Sequence, residues 1–177
     1  MDSLKRVHAP LDKKTIDSLK AGDEVLLTGV IYTARDQAHL RMTELMKKGE
    51  ELPLDLNGQI IYYCGPTPPG KRIIGSCGPT TSGRMDPFTP MLLEAGLKGM
   101  IGKGRRSIPV IKAIKRFQAV YFIAPAGAGA YLAGKVRSCS LVAFEDLAAE
   151  AIYRLEVEDF PLIVGIDSKG RNLYGNM

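Results

Sequence analysis

The 177-residue chain has no tryptophan, only three cysteines and two histidines, and no apolar run approaching the ~20 residues that a membrane span needs. Three thiols are too few for a disulfide-dense scaffold, and Cys64, Cys77 and Cys139 form no CxxC pair. The opening MDSLKRVHAPLDKK lacks the apolar stretch of a secretory signal, so with an odd free thiol the expected compartment is a reducing cytoplasm. No dense Lys/Arg tract exists, and the five Phe and seven Tyr are scattered rather than set out for base stacking. Nucleic acid and membrane are therefore not the expected partners.

What is present is a soluble globular composition, 45% hydrophobic and 24% charged, which excludes wholesale disorder. A chain of this length fits one domain over residues 1–177, with its own core. The formal charge of +5 suits an anionic partner such as a carboxylate or phosphate, or simply keeps the protein soluble.

Residues 1–20 are polar and basic and read as a surface arm with a helical turn around Thr15–Lys20. Glu24–Tyr32 reads as a strand interrupted at Gly29, and RDQAHLRMTELMKKG as an amphipathic helix stopping at Gly49. QIIYYC and RIIGSC follow as strands. Asp86-Pro87 is expected to cap and open a helix running to Gly96. Beyond it, strands LKGMIG, AVYFIA, SLVAF and PLIVGID alternate with helices over Ser107–Phe117, AYLAGKV and EDLAAEAIYRLEV. That rhythm predicts an α/β fold with a largely parallel sheet flanked by helices.

Ligands of such sheets bind outside the carboxyl ends of strands, and three loops fall there. GLKGMIGKG has the wrong glycine spacing for a phosphate loop, and Gly104 stands where a hydroxyl should hold magnesium. It leaves Lys103 as a lone cation between two glycines, either a ligand or a surface lysine. PAGAGAYLAG resembles half of a dinucleotide fingerprint, but Leu132 occupies the third glycine position. GSCGPTTSGRMDPF carries the most chemistry. Thr80, Thr81 and Ser82 bring hydroxyls, Gly83 permits close approach, and Arg84 offers a planar fork for a carboxylate. The same residues would also serve as helix caps. Arg35 sits at the mouth of a helix, where a positive charge is electrostatically poor, with Asp36 as a candidate cap. Such a conflict marks functional sites. His39, a lone histidine, fits a structural hydrogen bond as well as a place near the site, and Cys77 an inert buried thiol as well as an activated one.

TGVIYTARDQAH, DLNGQIIYYCGP, GSCGPTTSGRMDPF, MIGKG, FIAPAGAGA and PLIVGID occur together, in this order, from about Gly22 to Tyr174. In this the chain resembles the β subunit of class I fumarate hydratases, which is also the C-terminal domain of the single-chain enzymes. The β subunit of L-tartrate dehydratase is a close relative, with a bulkier residue expected at Gly83 and a differently composed TARD segment. The resemblance implies a swivelling β/β/α domain and an α subunit that carries the [4Fe-4S] cluster, in an αβ or α2β2 assembly active only when complete. By motif it implies that Thr80 moves the proton at carbon 3 of a dicarboxylate. Arg35, Arg84 and Lys103 then bind the substrate carboxylates, with His39, Thr81 and Asp86 in a supporting layer. No metal ligand is implied on this chain, since its cysteines match no cluster set. A tartrate dehydratase subunit and a non-catalytic organic-acid-binding module are the competing readings. A Gly/Ala-rich face around Pro125–Ala133 is the expected subunit interface.

Overall fold

The computed structural model describes residues 4–175. Its strands are β1 (Lys5–Ala9), β2 (Glu24–Thr33), β3 (Ile60–Tyr62), β4 (Gly99–Gly102), β5 (Val120–Ile123), β6 (Val136–Ala143) and β7 (Ile152–Ile166). They form one seven-stranded sheet in the order β1-β2-β3-β4-β5-β7-β6. Neighbours from β1 to β5 are parallel, whereas β7 runs antiparallel to β5, β6 and β2. Because β2 pairs with β1 and β3 along one edge and with β7 along the other, strands β2, β3, β4, β5 and β7 close into a ring. The fold is α/β, but the sheet is mixed and partly barrel-like rather than largely parallel.

The long β7 is the reason for that difference. The helix expected over EDLAAEAIYRLEV stops as a 3-10 segment, Glu145–Glu150, and the chain is extended from Ile152. Leu155 and Val157 are buried while Glu156 and Glu158 are exposed, an alternation of period two that outweighs the helix-forming residues before it. RIIGSC is not a strand either. It is a loop held by Thr67, whose hydroxyl accepts from the Ser76 amide at 2.9 Å and whose own amide donates to the Ser76 carbonyl at 3.0 Å.

Residues 4–20 are not a surface arm, and residues 1–3 lie outside the described residues. Lys5 to Ala9 pair in parallel with Val25 to Gly29. Helix α1 (Lys13–Ser18) follows, capped by Asp12, which accepts from the Thr15 amide at 2.7 Å. Val7, Leu11, Ile16 and Leu19 are buried. Four sparse apolar residues in a polar segment are enough to dock it, at roughly 1.5–3 kcal/mol for each fully buried aliphatic side chain.

The remaining helices are α2 (Asp36–Lys47), α3 (Thr89–Glu94), α4 (Ile108–Phe117) and α5 (Gly129–Ala133). Alternate residues of β3 and its extension serve two cores. Ile60, Tyr62 and Cys64 join Leu27, Phe122 and Leu155 in one cluster, while Ile61 and Tyr63 join Met100, Tyr121 and the buried faces of α2, α3 and α4. Burial on both faces explains why QIIYYC is apolar throughout. The carboxyl ends of the parallel strands β2, β3 and β4 share one rim, and the segments singled out from the sequence lie there.

Candidate active site

The Thr80 amide donates to the carbonyl of Tyr63, just past β3, at 2.7 Å. The Lys103 amide donates to the Thr80 carbonyl at 3.3 Å, and the Ser82 amide to the Lys103 carbonyl at 2.9 Å. These bonds form an isolated parallel bridge between Thr81 and Lys103, so two loops distant in sequence lie side by side. Gly102 makes the approach possible, since a Cβ there would fall 2.0 Å from Ser82 Oγ.

Arg84 lies one turn further on, in the 3-10 segment Ser82–Met85. Its Nε donates to Asp36 Oδ1 at 2.9 Å, and its Nη2 lies 2.9 Å from Asp36 Oδ2. Asp36 is the first residue of α2, where a carboxylate is favourable. It is not the cap. Arg35 occupies that position, makes no side-chain capping bond, and places Nε 3.9 Å from Asp36 Oδ2 and 3.8 Å from Glu150 Oε1. Both arginines thus share one acidic neighbour, which offsets the unfavourable charge at the helix mouth. A Cβ at Gly65 would lie 2.9 Å from Arg35 Nη1 and 3.1 Å from its Cδ, so glycine there lets the arginine run along the backbone. Lys103 takes part in none of these ion pairs among the described residues.

The structure therefore brings Thr80, Thr81 and Lys103 into one bridge and Arg35, Arg84 and Asp36 into one charged cluster. Arg84 joins the two, since its amide donates to the Thr81 carbonyl at 3.4 Å. Thr81 is exposed and Thr80 half-buried. Asp86 faces elsewhere. Instead of opening α3, whose N-cap is Phe88, it accepts from Arg106 Nε at 2.7 Å and from the Ser107 amide at 2.7 Å.

Among the described residues, Arg35 Nε, His39 Nε2, Tyr63 OH and Glu150 Oε1 are buried without a hydrogen-bond partner, and buried Asp36 Oδ2 is held by ion pairs with Arg84 and Arg35 alone. Buried polar groups are nearly always satisfied, and these five gather around the first turn of α2. His39 is fully buried, with Nδ1 2.8 Å from the Arg35 carbonyl and its ring edge-on to Tyr63 at 5.3 Å. Burial lowers its pKa from 6.5 to about 4, so the ring is neutral at pH 7 and supports Arg35 rather than exchanging protons there. A titration consequence follows. The unfolded chain takes up a proton on His39 near pH 6.5 while the folded chain resists it until about pH 4. Stability from this residue is complete above pH 6.5 and decreases by about 3 kcal/mol as pH falls through that window. Chemical denaturation of wild type and His39→Gln between pH 7 and 4 is expected to show a smaller pH slope in the variant; equal slopes would refute this role.

Glu150 and Arg106 carry no signal in the sequence, and Ser82, named there only as a loop hydroxyl, has a buried role. Glu150 was hidden in an expected helix. Ser82 is buried, with Oγ 2.9 Å from the Tyr121 hydroxyl, and looked like one more loop hydroxyl. Arg106 is fully buried, which an Arg-Arg pair after a glycine loop does not signal. The GAG segment also packs against the Thr80 loop. Gly129 packs against Gly78 and Ser76, and its carbonyl accepts from the Cys77 amide at 3.2 Å, so α5 buttresses the Thr80 loop. Gly129 and Leu132 are thereby covered within the chain, leaving Tyr131 as the exposed large residue of that face.

No three His, Cys, Asp or Glu side chains among the described residues are placed to hold a metal ion. Cys64 and Cys77 are core residues. Contact with the Cys77 thiol, and then burial, holds Cys64 well above the ordinary thiol range, and burial pushes Cys139 up. The same contact lowers Cys77, and among the described residues these thiols are not grouped into a ligand set for a cluster.

A family model described as "Fumarase C-terminus" matches residues 3–177. A protein of Methanocaldococcus jannaschii named "Putative L(+)-tartrate dehydratase subunit beta" is 41% identical over 171 residues, covering 93% of this chain and 88% of that protein. Fumarate hydratase 2 of Leishmania major is 37% identical over 171 residues. The aerobic class I fumarate hydratase of Escherichia coli K12 is 41% identical over 152 residues. The chain spans 30% of the length of the Leishmania enzyme and 28% of the E. coli enzyme. It belongs to the fumarase C-terminus family.

Proposed function

We propose that this chain is the β subunit of a heteromeric iron–sulfur hydro-lyase, a fumarate hydratase that interconverts fumarate and (S)-malate by reversible hydration. The observation that carries the reading is the meeting of the TARD, GPTTSGRMD and GKG segments at one rim, above unsatisfied buried polar atoms. A dicarboxylate dianion needs several fixed cations, and Arg35, Arg84 and Lys103 supply them. The guanidinium of Arg84 spends Nε and Nη2 on Asp36, which fixes its plane and leaves Nη1 outside the pair. Removing a proton from the carbon beside a carboxylate places extra negative charge on that carboxylate. Preorganised cations stabilise this charge more than the ground state, which is how they accelerate the step.

Thr80 is the group that takes and returns the carbon-bound proton. A hydroxyl is a poor base at its own pKa, so it passes its proton to an acceptor, and a carboxylate of the α subunit fills that role. The [4Fe-4S] cluster belongs on the same subunit, because the described residues of this chain offer no ligand set for it. The domain works as the swivelling β/β/α unit of an αβ or α2β2 complex in the cytoplasm, with substrate enclosed between two subunits.

A tartrate dehydratase subunit is the second reading. The M. jannaschii relative favours it, being matched over most of its own length rather than as one part of a longer chain. Gly83 bears on the choice. A Cβ there would meet nothing within 4 Å, so packing within the chain does not demand glycine and a bulkier residue would project toward whatever faces the loop.

Co-purification with a cysteine-bearing α subunit under anaerobic conditions tests the assignment. Iron content, fumarate hydration and tartrate dehydration are measured on the complex and on this chain alone. Fumarate hydration by the complex, with no activity in the isolated chain, is the expected result. Turnover of tartrate alone would select the second reading. Binding of dicarboxylates without turnover of either would leave a non-catalytic module.

A further inference from the structure

We propose that Arg106 is a positioning residue that locks the Thr80 and Lys103 segments together from beneath. Its side chain is completely shielded from solvent. A buried charge is costly, and each feature of this one is matched. Nε donates to Asp86 at 2.7 Å, Nη2 donates to Thr89 Oγ1 at 2.8 Å, and Nη1 lies 3.7 Å from Met100 Sδ. The guanidinium carbon sits 5.3 Å from the Tyr63 ring centre and 5.0 Å from that of Tyr121.

Those two tyrosines lead to the site. The Tyr63 carbonyl receives the Thr80 amide, and the Tyr121 hydroxyl donates to the Gly104 carbonyl at 2.8 Å while contacting Ser82 Oγ at 2.9 Å. Asp86 also receives the Ser107 amide, so the Arg106–Asp86 pair ties the end of the GKG loop to the segment following Arg84. The network reaches both loops without touching the open rim. It therefore acts on Thr80 and Lys103 through geometry, which distinguishes it from the cations assigned to substrate.

The activity arm of the test rests on the hydro-lyase reading; the structural arm does not. Hydrogen exchange on the full chain compares wild type, Arg106→Lys and the double variant Asp86→Asn/Arg106→Met. The double variant removes both charges together and leaves no lone buried ion. The reporters are the Ser82 and Lys103 amides, with Val120, whose amide donates to Lys98 at 2.9 Å, as the core control. Exchange at Ser82 and Lys103 is expected to accelerate about tenfold or more in both variants, with Val120 unchanged. In assembled complexes kcat is expected to fall about tenfold in Arg106→Lys and further in the double variant, with a smaller change in KM. Unchanged exchange at Ser82 and Lys103 in a folded variant would overturn the proposal, as would acceleration spread equally to Val120 or an unaltered kcat in an active complex. A wild-type complex that turns over neither fumarate nor tartrate would sink the hydro-lyase reading instead, with the exchange pattern still deciding the role of Arg106.

Discussion

Replacing Thr80 by alanine is expected to lower kcat of the assembled enzyme about 10²–10⁴-fold, the usual contribution of a positioned proton-transfer group. The structural contacts of Thr80 are made by its backbone, whose amide bonds to Tyr63 and whose carbonyl receives Lys103. Alanine keeps both, so the loop stays in place and the loss falls on chemistry. KM is expected to stay within about threefold, because Arg35, Arg84 and Lys103, the proposed carboxylate ligands, are untouched. Thr80→Ser retains the hydroxyl and should recover much of the rate. Steady-state kinetics on complexes matched for iron content make the comparison, and wild-type turnover in Thr80→Ala would remove the residue from the mechanism.

Arg84→Lys tests the carboxylate site with the charge preserved. The present pair uses two nitrogens of one planar group on Asp36, a geometry that a single ammonium cannot reproduce while also binding a substrate carboxylate. Loss of one charge-assisted hydrogen bond, about 1.5–3 kcal/mol, corresponds to a fall in kcat/KM of roughly ten- to a hundredfold. Stability should change little, because the Arg84 side chain is 51% exposed and such pairs contribute at most about 1 kcal/mol. A large fall in kcat/KM with an unmoved denaturation midpoint is the expected signature. Unchanged kcat/KM would count against direct contact with substrate.

The parts that were legible in the sequence are local. β2 and α2 announce themselves by β-branched runs, helical spacing and a terminal glycine, and they deliver Arg35 and Asp36 to the rim. The bridge between Thr81 and Lys103 was not legible, because hydrogen bonds between distant loops leave no periodicity. The same holds for the first part of β7, whose extended state is fixed by pairing with other strands and which follows a helix-like Ala/Glu stretch, whereas its PLIVGI end reads as a strand. Burial of Arg106 was hidden as well. Two tyrosines and one aspartate, each unremarkable in its own segment, make a charged residue tolerable in the interior. Motif order pointed to the rim's visible groups, whereas the layer that holds them became apparent only with tertiary packing.

The parallel pairing of β1 with β2 fixes where polypeptide enters. Lys5 lies beside Val25, eight residues before Thr33 on the strand that leads to Arg35. At ~3.3 Å per residue, that is roughly 25 Å from the end of β2, with the charged cluster just beyond it. A segment joined ahead of Lys5, such as an appended tag, starts from the far end of the sheet. To lay its own groups over Thr80 such a segment must travel around the molecule, whereas an appendage that stays near its origin leaves the rim open.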